Sequence, residues 1–239
     1  MQENVHSGRE AERDGGRKMR LFSGPLSMFG AKVQIAAHEK DLDFELIMVP
    51  FSMKEGYAPK HPEVLRINPK RQVPVLIDGE LELFDSTQIF EYLEDIKSEP
   101  ALWPATSAAR ARSRRLEHES DEVYFPHIIK LMQLWKTPDD PAAEIARAGA
   151  AAYYRKMESV LDGHEFLGGD YSFADIAFYM AQLFGARMGA DMTGETPRLV
   201  QWRQRMTARP AVMKVVGPMA DYLRSQRLSV PAFLPQQAA

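Results

Sequence analysis

Between Ile67 and Glu94 the chain reads I-N-P-K-R-Q-V-P-V-L-I-D-G-E-L-E-L-F-D-S-T-Q-I-F-E-Y-L-E, and no other stretch restricts the fold as much. Two alternating apolar runs flank an Asp-Gly turn at Asp78 and Gly79, and a helical pattern begins near Asp85, so a strand, a tight antiparallel return and a helix follow one another. Upstream, a short strand ends near Phe22. A Gly-Pro turn follows, and Ser27 opens a helix carrying Val33, Ile35, Ala36 and Leu42. Asp43 to Val49 reads as a further strand, and Ile47 and Val49 predict that both of its faces are covered, which makes it internal. The order β-α-β, then β-β-α, calls for a mixed sheet flanked by helices.

After Pro100 the pattern changes. Leu102-Trp103-Pro104 reads as a linker, and beyond it strand signals give way to Ala-, Arg- and Glu-rich stretches of helical spacing. Helices are expected over Ser107 to Trp135 with a kink at Pro126, Pro141 to Leu161, Phe173 to Met188, Pro197 to Ala208, and Ala211 to Ser225. The 239 residues, 45% of them hydrophobic, suffice for one large domain or two small ones. The expected division is a loose polar N-terminal extension over 1–18, a sheet domain over 19–99, a linker over 100–106, a helical domain over 107–226 and a C-terminal tail over 227–239. Met19 stands directly before the first patterned segment, so the extension is expected to be an added leader or the product of an early start codon.

Thirty basic against 33 acidic side chains leave a net charge of -3, too balanced for a nucleic-acid partner. The chain has no cysteine, which removes disulfides, thiolate metal sites and any enzyme thiol nucleophile. Six histidines are scattered without ligand spacing, so no metal is expected. No apolar run approaches the roughly 20 residues of a membrane span, and the charged N-terminus is not a signal peptide. A cytoplasmic protein without a membrane partner is expected.

Four places could carry chemistry. A proline at Val73-Pro74 cannot donate to a ladder: it sits at a plain edge, or a cis bond turns the Val73 backbone outward for an extended peptide to pair with. Asp85-Ser86 stands where a strand hands over to a helix; it is either an N-cap or the clamp of an α-amino-carboxylate. Ser27 lies at a helix N-terminus, with a cap as its default role and no G-x-S-x-G elbow around it. Arg110, Arg112, Arg114 and Arg115 precede Glu117, Glu119, Asp121 and Glu122, which reads as a solvated face or subunit contact. Ser172 to Asp175 has the form of a capping box with a folding role.

The order S-x-x-x-x-K-V (from Ser27), E-K-x-L-x-F-E (from Glu39), N-P-x-x-Q-V-P-V-L (from Asn68), D-G-x-L-x-L-F-D-S (from Asp78) and S-x-A-D (from Ser172) resembles the cytosolic glutathione transferases. The resemblance runs from Met19 over nearly the whole chain. It is strongest from Ser27 to Glu94, with the serine-type classes, phi- and theta-like, including bacterial relatives. It implies a thioredoxin-like α/β N-terminal domain that binds glutathione, an all-α C-terminal helical bundle that supplies most of the second-substrate site, and a homodimer. It makes Ser27 the catalytic hydroxyl, Gln72 and Val73 the contacts to the peptide part of glutathione, Pro74 the cis-proline, and Asp85 with Ser86 the γ-glutamyl clamp. Lys60 would hold the glycine carboxylate, with Lys54 and His61 as competitors. Asp85 replaces the family's commoner Glu and is one methylene shorter, so water or a residue of a second subunit would complete the clamp. Met28, Phe29, Tyr124, Phe125, His127 and Ile128 are the expected walls of the second-substrate site, chosen by location and apolarity.

Glutathione would be co-substrate, with no metal, and the partner a small hydrophobic electrophile, as in detoxification. The classes that use an active-site cysteine are excluded, and the tyrosine-type classes place a phenol where this chain has Phe22. Ser23 is the rival of Ser27. A free thiol of pKa near 8.5 is only about 3% ionised at pH 7, and a hydroxyl donor at a helix N-terminus lowers that pKa. The leading expectation is conjugation of the glutathione thiolate to electrophilic carbon. The alternatives are a glutathione-dependent lyase or dehalogenase, for instance of aryl ethers, and a non-catalytic binding or regulatory module.

Overall fold

The computed structural model describes residues 18–234, so the expected N-terminal extension lies outside the described residues except for Lys18. Strand β1 (Met19–Ser23) leads through the Gly-Pro turn into helix α1 (Met28–Glu39) and strand β2 (Phe44–Met48). Helix α2 (Pro62–Ile67), strands β3 (Val75–Asp78) and β4 (Leu81–Phe84), and helix α3 (Ser86–Ile96) complete this part. The sheet order is β2-β1-β3-β4. β1 runs parallel to β2 with Leu21 opposite Leu46, and antiparallel to β3 with Leu21 opposite Leu76.

Strand alternation sends neighbours to opposite faces. Leu21 and Leu76 pack with Val33, Ala37, Ile89 and Leu93 of α1 and α3, while Phe22, Val75 and Ile77 pack with Val64 of α2 on the other face. Three sequence expectations change here. β2 is an edge strand, with Leu46 38% and Met48 44% exposed. Its apolar run does not distinguish a central strand from an edge because the neighbour is chosen by topology. The hairpin loop is Gly79-Glu80, since Asp78 still pairs with Leu81, and Gly79 takes φ +59 as the first residue of a two-residue turn requires. The loop rich in Pro and Lys contains α2, a six-residue helix capped by His61 and too short to leave a periodic signal.

Beyond Pro100 come α4 (Ser107–Glu119), α5 (Phe125–Gln133), α6 (Pro141–Val160), α7 (Phe173–Arg187), α8 (Pro197–Thr207) and α9 (Pro210–Ser225). The helix expected from Ser107 to Trp135 is divided by a π-helical turn, Ser120–Tyr124, in which the Phe125 N–H donates to the Ser120 carbonyl. Pro126 follows at once; it offers no N–H and its ring crowds the carbonyl four residues back, so the backbone widens just before it. Every residue of α7 from Phe173 to Gly185 is buried, which makes α7 the centre of the helical part. Asp175 accepts from the Ser172 and Leu167 N–H groups at 3.0 and 2.9 Å and from Trp202 Nε1 at 2.9 Å, the capping arrangement read from Ser172 to Asp175.

Leu102 and Trp103, within the segment read as a linker, are buried. The Glu94 carboxylate accepts from both of their N–H groups, and Phe90 of α3 stacks on Phe173 of α7 with centroids 3.7 Å apart. Lys40, fully buried, reaches Glu94 at 2.6 Å and the carbonyls of Lys97 and Pro100 at 2.7 and 2.9 Å. The described part of the C-terminal tail folds back as well, with Leu234 buried and the Arg203 guanidinium 4.2 Å from the Phe233 ring centroid.

Candidate active site

Ser27 is the N-cap of α1, and its Oγ accepts from the Gly30 N–H at 2.9 Å. One lone pair is thereby engaged, and the hydroxyl hydrogen remains to be donated outward. Ser27 borders a cavity of about 350 Å³. The loop that carries it is braced by Tyr57, whose hydroxyl accepts from the Leu26 N–H at 3.2 Å and whose ring occupies the space a side chain on Gly24 would need. Ser23 differs in each respect: it is fully buried at the end of β1, and its Oγ accepts from Gln34 Nε2 at 2.8 Å. Gly30 allows both serines their places, since a Cβ there would lie 2.1 Å from Ser23 Oγ and 2.9 Å from Ser27 Oγ. Gly30→Ala is therefore expected to lower stability by about 1–3 kcal/mol and to reduce activity with it. Adding Ser23→Ala should recover part of the melting temperature; no recovery in the double variant would remove this explanation.

The second feature is the bend before β3. The Val73-Pro74 bond is cis, and β3 begins only at Val75, so Val73 lies outside the ladder. Asn68, buried at the end of α2, shapes the bend: its Nδ2 donates to the Gln72 carbonyl at 2.6 Å and its Oδ1 accepts from the Lys70 N–H at 2.9 Å. Opposite stands Asp85, which caps α3 through Oδ1, accepting from the Thr87 N–H at 3.1 Å. Asp85 has φ 76 and ψ 128, a conformation that costs a non-glycine residue on the order of 1–3 kcal/mol. Ser86 follows, buried, in the first turn.

Gln72, Val73, Pro74, Asp85 and Ser86 line one cavity of about 410 Å³, together with Glu91, Glu117, Asp121 and Glu122 against only Lys70 and Arg114 among the cations. Arg114 is already paired with Glu91 at 2.9 Å. Glu117 and Asp121 share the fully buried Lys32 ammonium, at 3.0 and 2.6 Å, and Thr87 Oγ1 donates to Glu117 at 2.8 Å. Burial pushes the Asp121 carboxyl up to about 6, against the pull of Lys32. The same two carboxylates outweigh burial at Lys32 and hold its ammonium protonated. Burial sets the first direction, and two acids around one cation set the second. Acids outnumber bases around this cavity.

The cavity beside Ser27 joins it through Phe29, Gln72 and Val73 and has the opposite character: Lys60, His61 and Arg71 line it and no carboxylate does. Lys54 is not among its walls. His61 Nδ1 accepts from the Glu63 N–H at 3.2 Å, and its ring lies 4.9 Å from that of Phe22. A ligand spanning both cavities would meet acids at one end, bases at the other and Ser27 on the way.

The glutathione S-transferase N-terminal domain model matches residues 21–101, and the C-terminal domain model of the same family matches residues 105–210. Glutathione S-transferase 1 of Dianthus caryophyllus is 32% identical over 226 residues, covering 87% of this chain and 97% of that protein. The chain belongs to the glutathione S-transferase family. Glutathione S-transferase 3 of Zea mays is 30% identical, covering 83% of this chain and 93% of its own. Among solved structures, glutathione transferase F7 of Populus trichocarpa superposes with a TM-score of 0.72 at 25% identity, covering 84% of this chain and 99% of that one. The mixed sheet followed by a helical bundle is thus the thioredoxin-like plus all-α arrangement of the glutathione S-transferases.

Against this transferase fold, the six expected second-substrate residues separate. Met28, Phe29 and Phe125 line the Ser27 cavity. Tyr124, His127 and Ile128 do not: Tyr124 is fully buried with its hydroxyl 2.5 Å from that of Tyr154, Ile128 is fully buried, and His127 packs against Gly149 of α6. Helical period accounts for Tyr124 and His127, which leave the face that Phe125 and Met132, seven residues apart, turn to the cavity, whereas Ile128 stands on that side of the helix and is taken up by the core. Leu26, Val49, Tyr57, Val64, Met132 and Phe184 also line it and were not read from sequence. Phe184 arrives from α7, far along the chain, and only its apolarity was visible. Asn68 had a signal, as the first residue of the N-P-x-x-Q-V-P motif, whereas Arg71 stands at one of its unspecified positions.

Proposed function

We propose that this glutathione S-transferase conjugates glutathione to small apolar electrophiles and that Ser27 activates the thiol. The observation that carries the reading is the placement of the Ser27 hydroxyl: accepting from Gly30, free to donate, at the N-terminus of α1, and open to the basic and apolar cavity. In this reading the γ-glutamyl ammonium faces the carboxylates around Asp85 and Glu117, with Ser86 at the α-carboxylate. The cysteinyl backbone pairs with Val73 beside Pro74, Gln72 contacts the peptide, and the glycine carboxylate meets Lys60, His61 or Arg71. The sulfur then lies at Ser27. Donation from Oγ and the positive end of α1 both favour thiolate over thiol, and each tenfold change in ionisation corresponds to about 1.4 kcal/mol. The thiol proton leaves to water, the sulfur lone pair forms a C–S bond to the electrophilic carbon, and the leaving group or the opened π bond takes the electron pair.

Retention on immobilised glutathione followed by turnover of chlorodinitrobenzene tests this. Failure to bind glutathione sinks it; binding without turnover of any aryl halide, enone or epoxide favours the module or a lyase of narrow substrate range. The proposed enzyme is cytoplasmic and a homodimer; a sedimentation mass of one chain would overturn the second point. Among the described residues no helix is long and apolar enough to cross a membrane, and no group of three or more His, Asp or Glu is placed to hold a metal.

A further inference from the structure

Beyond the Ser27 cavity lies a third space of about 550 Å³, joined to it through Leu26, Met132 and Phe184. Its body is apolar, with Phe51 and Trp135 among its walls, yet three arginines line it, Arg147, Arg187 and Arg227, and no carboxylate does. Arg187 is the unusual one. Its Nε is buried without a hydrogen-bond partner, and no carboxylate among the described residues lies within ion-pair distance of its guanidinium. Burial alone pulls the group down to about 10. Arg203 and Arg205 also leave Nε unpaired, but their other nitrogens reach Asp191 and the Glu165 carbonyl. Among the described residues, Arg187 has only the ring of Phe184, 5.2 Å away, and the carbonyl end of α7 to offset its charge. A half-buried, unpaired guanidinium in an apolar cavity is electrostatically incomplete, and an anion that brings its own apolar body would complete it.

The same ring leads back to the chemistry. Phe184 lies edge-on to Phe125 at 6.3 Å, and Phe125 edge-on to Phe29 at 5.6 Å, so an aromatic wall runs from the Ser27 cavity to Arg187. Trp135, 57% exposed at the rim, gives an aromatic ligand a surface to cover. We propose that this space takes organic carboxylates, an aromatic or aliphatic body with one anionic group, and that Arg187 is the residue that selects them over neutral compounds. Insofar as such an anion is the electrophile, this rests on the transferase reading above; its binding does not.

The test is calorimetry without glutathione, using biphenyl-4-carboxylate and the neutral biphenyl-4-carboxamide. The wild-type chain is expected to bind the carboxylate about 10- to 100-fold more tightly. Arg187→Met abolishes that preference while leaving the amide affinity unchanged, and Arg187→Lys keeps part of it; unchanged melting temperatures show that both variants fold. Equal affinity for the two ligands, or a preference that survives in Arg187→Met, overturns the proposal. Turnover arms use 4-chloro-3,5-dinitrobenzoate and its methyl ester, with the carboxylate favoured in kcat/KM by wild type and not by Arg187→Met. Turnover of both without discrimination defeats the anion site and leaves the transferase standing. Anion binding with no turnover of any electrophile does the reverse.

Discussion

Ser27→Ala is expected to bind glutathione with nearly unchanged affinity and to lose about 10- to 1000-fold in kcat with chlorodinitrobenzene. In the proposed binding mode the peptide contacts at Gln72, Val73, Asp85 and Ser86 do not involve Ser27, so ground-state binding survives. What is lost is a donor to sulfur, needed only once the sulfur is anionic, and the bound thiol returns toward its free value. The acidic limb of the pH–rate profile should accordingly move to higher pH, a readout that a merely unstable variant would not give. The same substitution removes the cap on Gly30 N–H and costs about 0.5–2 kcal/mol of stability. Ser27→Thr preserves both cap and hydroxyl and serves as the control. An equal loss in Ser23→Ala would move the role to Ser23, which the hydrogen bond from Gln34 and full burial argue against.

Lys32→Met should lower stability by about 3–5 kcal/mol, because Glu117 and Asp121 would remain buried without their shared cation. For a chain of this size that is a fall of about 6–20 °C in Tm. The loss has a definite pH dependence. Asp121 in the folded chain titrates at about 6 against an ordinary 3.8, so the folded state holds that proton more tightly than the unfolded chain. Its contribution to folding is complete below about pH 4 and is lost as pH rises through 6. Removing the Lys32 ammonium raises the carboxyl further. The variant should therefore recover part of its lost stability between pH 7 and pH 5, whereas a variant damaged by packing alone would melt equally low at both. Neutralising all three positions, with Glu117→Gln and Asp121→Asn added, should restore much of the Tm.

How far the chain could be read varied with the range of the interaction. The β3–β4 return, the cap at Ser27, the strand-to-helix handover at Asp85 and the Ser172–Asp175 box were legible because turns and caps depend on residues within a few positions of one another. The opposite result at β2 has the same origin: its apolar run was visible, but whether a strand lies on its far side is not written in the run itself. The helix from Ser107 was recognised as a unit, and Pro126 marked the disturbance. The π-helical turn ahead of it depends on how the backbone absorbs the missing N–H.

Local order in the sequence therefore suffices for the transferase family, the two-part architecture and the loops that would hold an extended peptide, since each is carried by contiguous motifs. Packing alone settled which of the apolar residues form walls. Phe125, Met132 and Phe184 converge from α5 and α7, whereas Tyr124 and Ile128 turn into the core. Packing also brought Lys32 between two acids some 85 and 89 positions away and left Arg187 without one. The reason is physical: a side chain's chemistry is intrinsic, but its dielectric surroundings and its partners exist only after distant helices have met.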